Sequence, residues 1–201
     1  MSDQTAASMD TPRFNLTGQI LIAMPAMQDP YFRKSVVLIC NHDEDGAMGI
    51  ILNHPLDLNA GDLFEQLQLS CDIPHQEQRP VYFGGPVQVE RGFVLHSPAT
   101  EFNTTLDLSE GLALTSSKDI LEAASQDTAP HEMFIALGYA GWTAGQLENE
   151  IQENAWLNLL LADRSQLHKL VFKIASDDKL AWAMQQLGVD FATLSEVAGH
   201  A

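Results

Sequence analysis

Two apolar runs joined by a short polar turn constrain this chain more than anything else in it. Ser35-Val36-Val37-Leu38-Ile39-Cys40 and Ala47-Met48-Gly49-Ile50-Ile51-Leu52 are almost continuously hydrophobic and rich in β-branched residues, and Asn41-His42-Asp43-Glu44-Asp45-Gly46 between them has the composition of a turn. Strands apolar on both faces must be covered on both, so this hairpin belongs at the centre of a sheet. Further strands are expected at residues 19–24, 81–83, 91–96, 112–114 and 133–137. Helices are expected after an Asn59 N-cap, with Leu63, Phe64 and Leu67 on one face, and over residues 117–125. A last helix is capped by Ser176, lined by Leu180, Ala183, Met184 and Leu187, and stopped by Gly188. Residues 156–161 suit a strand or a helix, and residues 167–175 are equally open. About six or seven strands and roughly four helices without regular alternation predict an α+β fold, not a doubly wound sheet.

The densest local signal lies at residues 133–150. Met133-Phe134-Ile135-Ala136-Leu137 has strand length, and Gly138, Gly141 and Gly145 supply the freedom for a sharp change of direction. Thr143 and Gln146 then have the spacing of a capping box, in which the threonine hydroxyl accepts from the Gln146 N–H and the glutamine reaches back to the Thr143 N–H. Leu147, Ile151 and Ala155 repeat at helical spacing toward the core, while Gln146, Glu150 and Glu153 fall on another face and Glu148 also sits in the first turns, where the positive end of the helix dipole favours carboxylates.

Charge limits the classes of partner. The chain of 201 residues has 27 acidic and 10 basic residues, a formal net charge of −17. Residues 101–153 alone hold ten acidic residues and one basic residue, Lys118. Such a surface repels phosphate backbones, and the longest basic run is Arg33-Lys34, so direct nucleic-acid binding is disfavoured. No apolar run has the length of a membrane span, and the start of the chain lacks the basic and apolar parts of a signal peptide. Cys40 and Cys71 have no metal-type spacing and agree with a reducing compartment, so a cytoplasmic protein is expected. Residues 1–13 read as a flexible polar tail and residues 14–201 as one domain.

Four motifs, in order, carry a family resemblance: Leu21-Ile22-Ala23-Met24-Pro25 with Asp29-Pro30-Tyr31-Phe32 and Ser35-Val36; Gly46-Ala47-Met48-Gly49-Ile50-Ile51-Leu52-Asn53; Phe83-Gly84-Gly85-Pro86-Val87; and Gly141-Trp142 with Gly145-Gln146-Leu147-Glu148. With the closing Gly199-His200-Ala201, they resemble the YqgE/AlgH family of bacterial cytosolic proteins over most of the chain after about residue 15. The resemblance implies one domain with a mixed, partly closed, barrel-like sheet and helices packed around it. It implies no particular reaction or ligand, although one branch of the family carries the label of transcriptional regulator. Two positions depart from the family pattern: Thr143 stands where glycine is frequent, and His54 where arginine is common.

Several chemistries compete with blander readings. Cys40 and His42, on one side of an extended strand, could meet His54 at a metal, but Asp43-Glu44-Asp45-Gly46 is equally what a solvated turn looks like, and no metal or cofactor is expected. Ser97 beside His96 lacks a nucleophile elbow, and Cys40 lies in an apolar run where thiols are inert. Gly84-Gly85-Pro86 could present N–H groups to an anion, although no phosphate-loop lysine follows and turn geometry accounts for the glycines. Glu148 and Glu150, two apart on a helix, point in different directions and make a poor acid–base pair, and Trp142 is a core aromatic by default.

The leading expectation is a non-catalytic regulator or adaptor, a monomer or weak dimer, that binds a protein or small molecule at the corner formed by Trp142, Gln146, Glu148 and Glu150 with Gly84, Gly85 and Pro86. His42 and His200 complete the candidate set. An enzyme acting on a small metabolite, with Glu148, His42 or His200 as acid or base, is the alternative, and indirect transcriptional regulation is a third. A cleft joining Glu148 to a histidine would favour the enzyme.

Overall fold

In the computed structural model, which describes residues 15–109 and 111–189, the hairpin is the middle of a ten-stranded mixed sheet. Its strands β2 (Val36–Asp43) and β3 (Gly46–Ile51) run antiparallel, and β1 (Ile20–Ala23) lies on the outer side of β2 with β10 (Trp156–Leu159) beyond it. On the other side β3 pairs with the long β9 (Glu132–Thr143), followed by β6 (Val87–Ser97), β8 (Leu112–Thr115) and β7 (Thr105–Ser109). Among the described residues β4 (Pro55–Asn59) pairs only with β5 (Pro80–Phe83), and β5 runs parallel to β9. The sheet curls into a half-barrel, and the α+β expectation holds.

Six helices cover it among the described residues: α1 (Ala60–Gln66), α2 (Pro74–Glu77), α3 (Asp119–Ser125), α4 (Gln146–Gln152), α5 (Arg164–Phe172) and α6 (Ser176–Gln186). Alternation along β2 sorts the core. Val36, Leu38 and Cys40 join Ile20, Ile50, Phe93 and Phe134 on one face, where α5 and α6 add Leu170, Val171, Ala183 and Met184. Val37 and Ile39 join Leu21, Trp142 and Trp156 on the opposite face beneath Leu147 of α4. Farther along that opposite face, α1 and α3 bury Phe64, Ile120 and Leu121 against Val94 and Ile135. Full burial of one such side chain stabilises by about 1.5–3 kcal/mol.

Several expectations are corrected in detail. Residues 156–161 resolve as strand β10 through Leu159, and most of 167–175 lies in α5. The polar turn shrinks to Glu44 and Asp45, since β2 extends to Asp43 and β3 begins at Gly46. Asn59 does cap α1, in a reciprocal box with Asp62. Ala175, not Ser176, is the N-cap of α6, because the Ser176 hydroxyl turns instead to Tyr82. The tail of residues 1–13 and the closing Gly199-His200-Ala201 lie outside the described residues.

The largest correction concerns Gly138. It turns no corner: β9 continues through it to Thr143. Its φ of +72° makes a bulge, which flips the alternation so that Phe134, Ala136 and then Tyr139 share one face while Ile135, Ala140 and Trp142 share the other. Residues Ile135–Leu137 pair with β5 on one edge of β9 and with β6 on the other, so the chain from Phe83 to Val87 must cross from edge to edge. It crosses as Gly84-Gly85-Pro86, pressed on the β9 backbone. A Cβ on Gly85 would lie 2.1 Å from the Tyr139 carbonyl carbon, and one on Gly84 would lie 2.3 Å from the Gly138 oxygen. These glycines are therefore required by backbone contact, which no side-chain movement relieves.

Gly85→Ala is expected to cost more than about 4 kcal/mol or to prevent folding. Gly92→Ala, whose new methyl would sit 3.8 Å from the Leu121 Cδ1 atom, is expected to stay within about 1 kcal/mol of the parent in urea unfolding. Equal effects at both positions would refute the crossing as the constraint.

Candidate functional site

The turn from β9 into α4 was expected to present polar groups outward, yet most of them clamp the helix to the sheet. Glu150 Oε2 accepts from the indole N–H of Trp142 at 2.9 Å and of Trp156 at 2.8 Å, while its Oε1 accepts from the Gln146 amide at 2.9 Å. The two indoles pack edge to face with centroids 5.9 Å apart, and Phe32 contacts both. One carboxylate thus satisfies both indole N–H groups at the base of the aromatic cluster.

The capping box is half present. Gln146 Oε1 accepts from the Thr143 N–H at 3.0 Å, as expected, but the Thr143 hydroxyl also donates to that oxygen, and the left-handed Gly145 is the N-cap with no side-chain cap bond. Leu147 is buried, with Ile151 and Ala155 partly so, as their spacing predicts.

Glu148 points away from Glu150 and meets His42. The His42 Nε2 atom lies 2.9 Å from Glu148 Oε1, and its Nδ1 accepts from the Leu16 N–H at 3.1 Å. That second bond leaves Nδ1 as the acceptor, so Nε2 carries the proton and donates it to Glu148. The imidazole is 1% exposed and Glu148 about a third. Cys40 and His42 do not share a side, contrary to simple alternation: a register shift between Ile39 and Asn41 sends Cys40 into the face under α5 and α6 and His42 to the face under α4. Burial pushes the Cys40 thiol up to about 12, which makes it inert. No group of three or more His, Cys, Asp or Glu side chains among the described residues has the geometry to hold a metal. His96 is likewise engaged, with Nδ1 on the Pro98 carbonyl and Nε2 at 2.9 Å from the Thr115 hydroxyl, so no triad forms with Ser97.

A cleft of about 630 Å³ lies beside α1 among Asn59, Asp62, Phe64, Cys71 and Glu77, and a separate groove lies open beyond α5 and α6, at the β2–β3 turn. The two bulges aim the side chains into this groove: after the shift at Cys40, Asn41 and Asp43 point into it, and after Gly138, Tyr139 does, with the backbone of Gly141 lining it beyond. One lobe of about 470 Å³ lies among these residues with Asp45, Met48, Val87, Trp142 and Thr143. A second, of about 290 Å³, lies among Gln88, Arg91, Phe93, Leu106, Leu114 and Ser116. Met48 and Tyr139 border both lobes, so the two lie side by side. Asn41 and the Asp45 N–H hold the Asp43 carboxyl below the usual carboxylate range.

Of the predicted site residues, only Trp142 borders this groove. Gly84, Gly85 and Pro86 form the crossing, Gln146 and Glu150 form the clamp, Glu148 and His42 pair behind the sheet, and His200 lies outside the described residues. Met48, Arg91 and Phe93 stand in runs that read as ordinary strand, and Tyr139 in the glycine-rich stretch that reads as a corner, so none was marked as lining a groove.

Another titratable group sits in the interior. Lys179 is 1% exposed, donates to the Val171 carbonyl at 2.9 Å, and lies 4.7 Å from the Phe134 ring centroid. Among the described residues no carboxylate pairs with it, and burial pushes its amine down to about 7. The unfolded amine holds its proton to about 10.5, so between these values the unfolded chain binds more protons and stability rises with pH. Below pH 7 the whole cost of burying the ammonium is present. Lys179→Met is expected to flatten that rise in urea unfolding measured from about pH 7 toward 10.5, and an unchanged slope would remove Lys179 as its cause. Glu150→Ala, which strands two indole N–H groups, is expected to cost about 3 kcal/mol with altered tryptophan fluorescence. A loss within about 0.5 kcal/mol would mean the clamp is dispensable.

The model of the AlgH-like family matches residues 20–192. A UPF0301 protein of Azoarcus sp. is 50% identical over 193 residues, covering 96% of this chain and all of that protein. One from Thiobacillus denitrificans is 50% identical over 188 residues, covering 93% and 98%. The solution structure of the AlgH protein from Pseudomonas aeruginosa superposes over the full length of both chains with a TM-score of 0.75 at 39% identity. A crystal structure of a Corynebacterium diphtheriae protein shares the fold, with a TM-score of 0.68 at 21% identity over 91% of this chain and 93% of that one. A family model matched over residues 20–192 and relatives half identical over nearly the whole length show that the chain belongs to the AlgH-like, UPF0301 family.

Proposed function

We propose that this protein is a non-catalytic binding protein of the cytoplasm, a regulator or adaptor that holds a protein or small-molecule partner in the two-lobed groove. The observation that carries the reading is the contrast between the groove and the acid–base candidates. The groove is bordered by half-buried Tyr139 and Met48 beside exposed polar groups, whereas the imidazole of His42 is nearly inaccessible and Glu150 is bonded to Trp142, Trp156 and Gln146 within the protein. Aromatic and methionine side chains on a concave, partly polar surface suit recognition. Two free cysteines fit a reducing compartment, and no helix among the described residues is long and apolar enough to cross a membrane. A regulator with a net charge of −17 acts on transcription through a partner more readily than through DNA.

The Glu148–His42 contact supports an enzymatic reading as the second choice, since a carboxylate and a histidine do meet. It is weaker because neither residue lines the groove and both ring nitrogens are engaged within the protein.

A nuclear magnetic resonance screen of metabolites against the full chain is expected to give shifts clustered at Met48, Tyr139 and Trp142, abolished by Met48→Lys with thermal stability retained. Shifts centred on His42 and Glu148, with turnover of the added compound, would replace the binding reading with the enzymatic one.

A further inference from the structure

We propose that the groove receives an extended, dipolar peptide segment of a partner protein. A basic side chain occupies the lobe at Asp43 and Asp45, apolar side chains lie on Met48, Tyr139 and Phe93, and an acidic group meets Arg91. This rests on the reading of the groove as the binding site and names what it binds.

Charge placement is the first argument. Asp43, Asp45 and Arg91 are the charged residues lining the two lobes, and they stand apart, the carboxylates around the larger lobe and the guanidinium at the smaller. The hydrogen bonds to Asp43 from Asn41 and the Asp45 N–H keep it ionised. Arg91 is held in place: it donates to Gln88 at 3.2 Å and to Ser116 at 2.9 Å and lies over the Phe93 ring at 5.5 Å. A guanidinium so placed keeps further N–H donors for a carboxylate, in the planar geometry that carboxylates match. In a chain with 10 basic residues against 27 acidic ones, this local cation opposes the general field. A simple polyamine would gain nothing from the Arg91 end, and an anionic metabolite would be repelled by the Asp43 end. A ligand carrying both signs, separated by an apolar stretch, satisfies the whole length.

Shape is the second argument. Asn41, Asp43, Asp45, Thr143, Gln88, Arg91 and Leu106 are all exposed, so the groove is a surface trough that leaves one side of its occupant in water. Compact metabolite sites bury most of the ligand, whereas a trough on a sheet suits an extended chain whose alternate side chains enter it. Along one side, β6 leaves the ladder between Val87 and Gly92, and the left-handed Gln88 and half-exposed Val89 raise a lip beside the second lobe.

The test uses the full-length protein and three end-blocked hexapeptides at physiological salt, each with two leucines flanked by Lys and Glu, by two Lys, or by two Glu, with spermidine as a fourth probe. The Lys/Glu peptide is expected to bind at least about tenfold more tightly than either like-charged peptide, with shifts at Met48, Tyr139 and Phe93. Asp45→Asn is expected to weaken the Lys/Glu and Lys/Lys peptides and spare Glu/Glu, and Arg91→Met to do the reverse for the like-charged pair. The wild-type comparison stands even if a variant fails to fold. Equal binding of all three peptides, or tightest binding of Lys/Lys, would overturn the inference as mere attraction to an acidic surface. Groove shifts with spermidine but no peptide would overturn the peptide while leaving a small-molecule groove intact. Silence of the groove toward every probe and toward the metabolite screen would end both readings.

Discussion

The contact between two backbones at the middle of β9 is what the rest of the structure depends on. The strand serves β3 and β5 on one edge and β6 on the other, and the chain from β5 to β6 passes over it at Gly84-Gly85-Pro86. Main chain on main chain leaves no room for a Cβ and no flexible atom to yield. The crossing carries the chain from β5 to β6 over β9, the strand that joins the part of the sheet built on β1, β2 and β3 to the part built on β6, β7 and β8, so the packing at that junction requires those glycines.

Bulges then determine what the sheet can present. An unbroken β2 would carry Asn41 and Asp43 to the face under α4, and an unbroken β9 would leave Tyr139 there. The shift at Cys40 and the left-handed Gly138 exchange these assignments, so the polar end of the hairpin and the tyrosine converge on one trough while His42 and Trp142 turn inward to α4. A one-residue slip reverses every later side chain, and two slips on neighbouring parts of the sheet shape the trough.

The acidic corner illustrates how buried donors decide the role of a charge. Glu150 is engaged by two indoles and an amide, and Glu148 by an imidazole that is itself held by a backbone N–H. Carboxylates bound in this way orient helices. Asp43, Asp45 and Arg91, tied mainly by local bonds at the surface, keep capacity for a partner.

Much of the fold was legible in the residues alone. The doubly apolar strands announced a covered central hairpin, the helical spacing of Leu147 and Ile151 announced α4, and the ordered motifs placed the chain in its family, because hydrophobic period and turn chemistry are local properties. The short β4 and β7 were not visible, since Pro55–Asn59 and Thr105–Ser109 read as polar loop and gain strand form only from β5 and β8. The site was mostly illegible. Sequence correctly marked the glycines and carboxylates as unusual but could not say that the former meet another backbone, which lies far along the chain, or that Glu150 meets two indoles, which are near in sequence but reach it only through the packing of β9 and β10 against α4. The amino-acid order by itself determined most of the elements, the acidic charge and the family. Only the tertiary structure decided which side chains face the trough, because two bulges and one backbone crossing, none of them a local preference, set the direction of every residue around it.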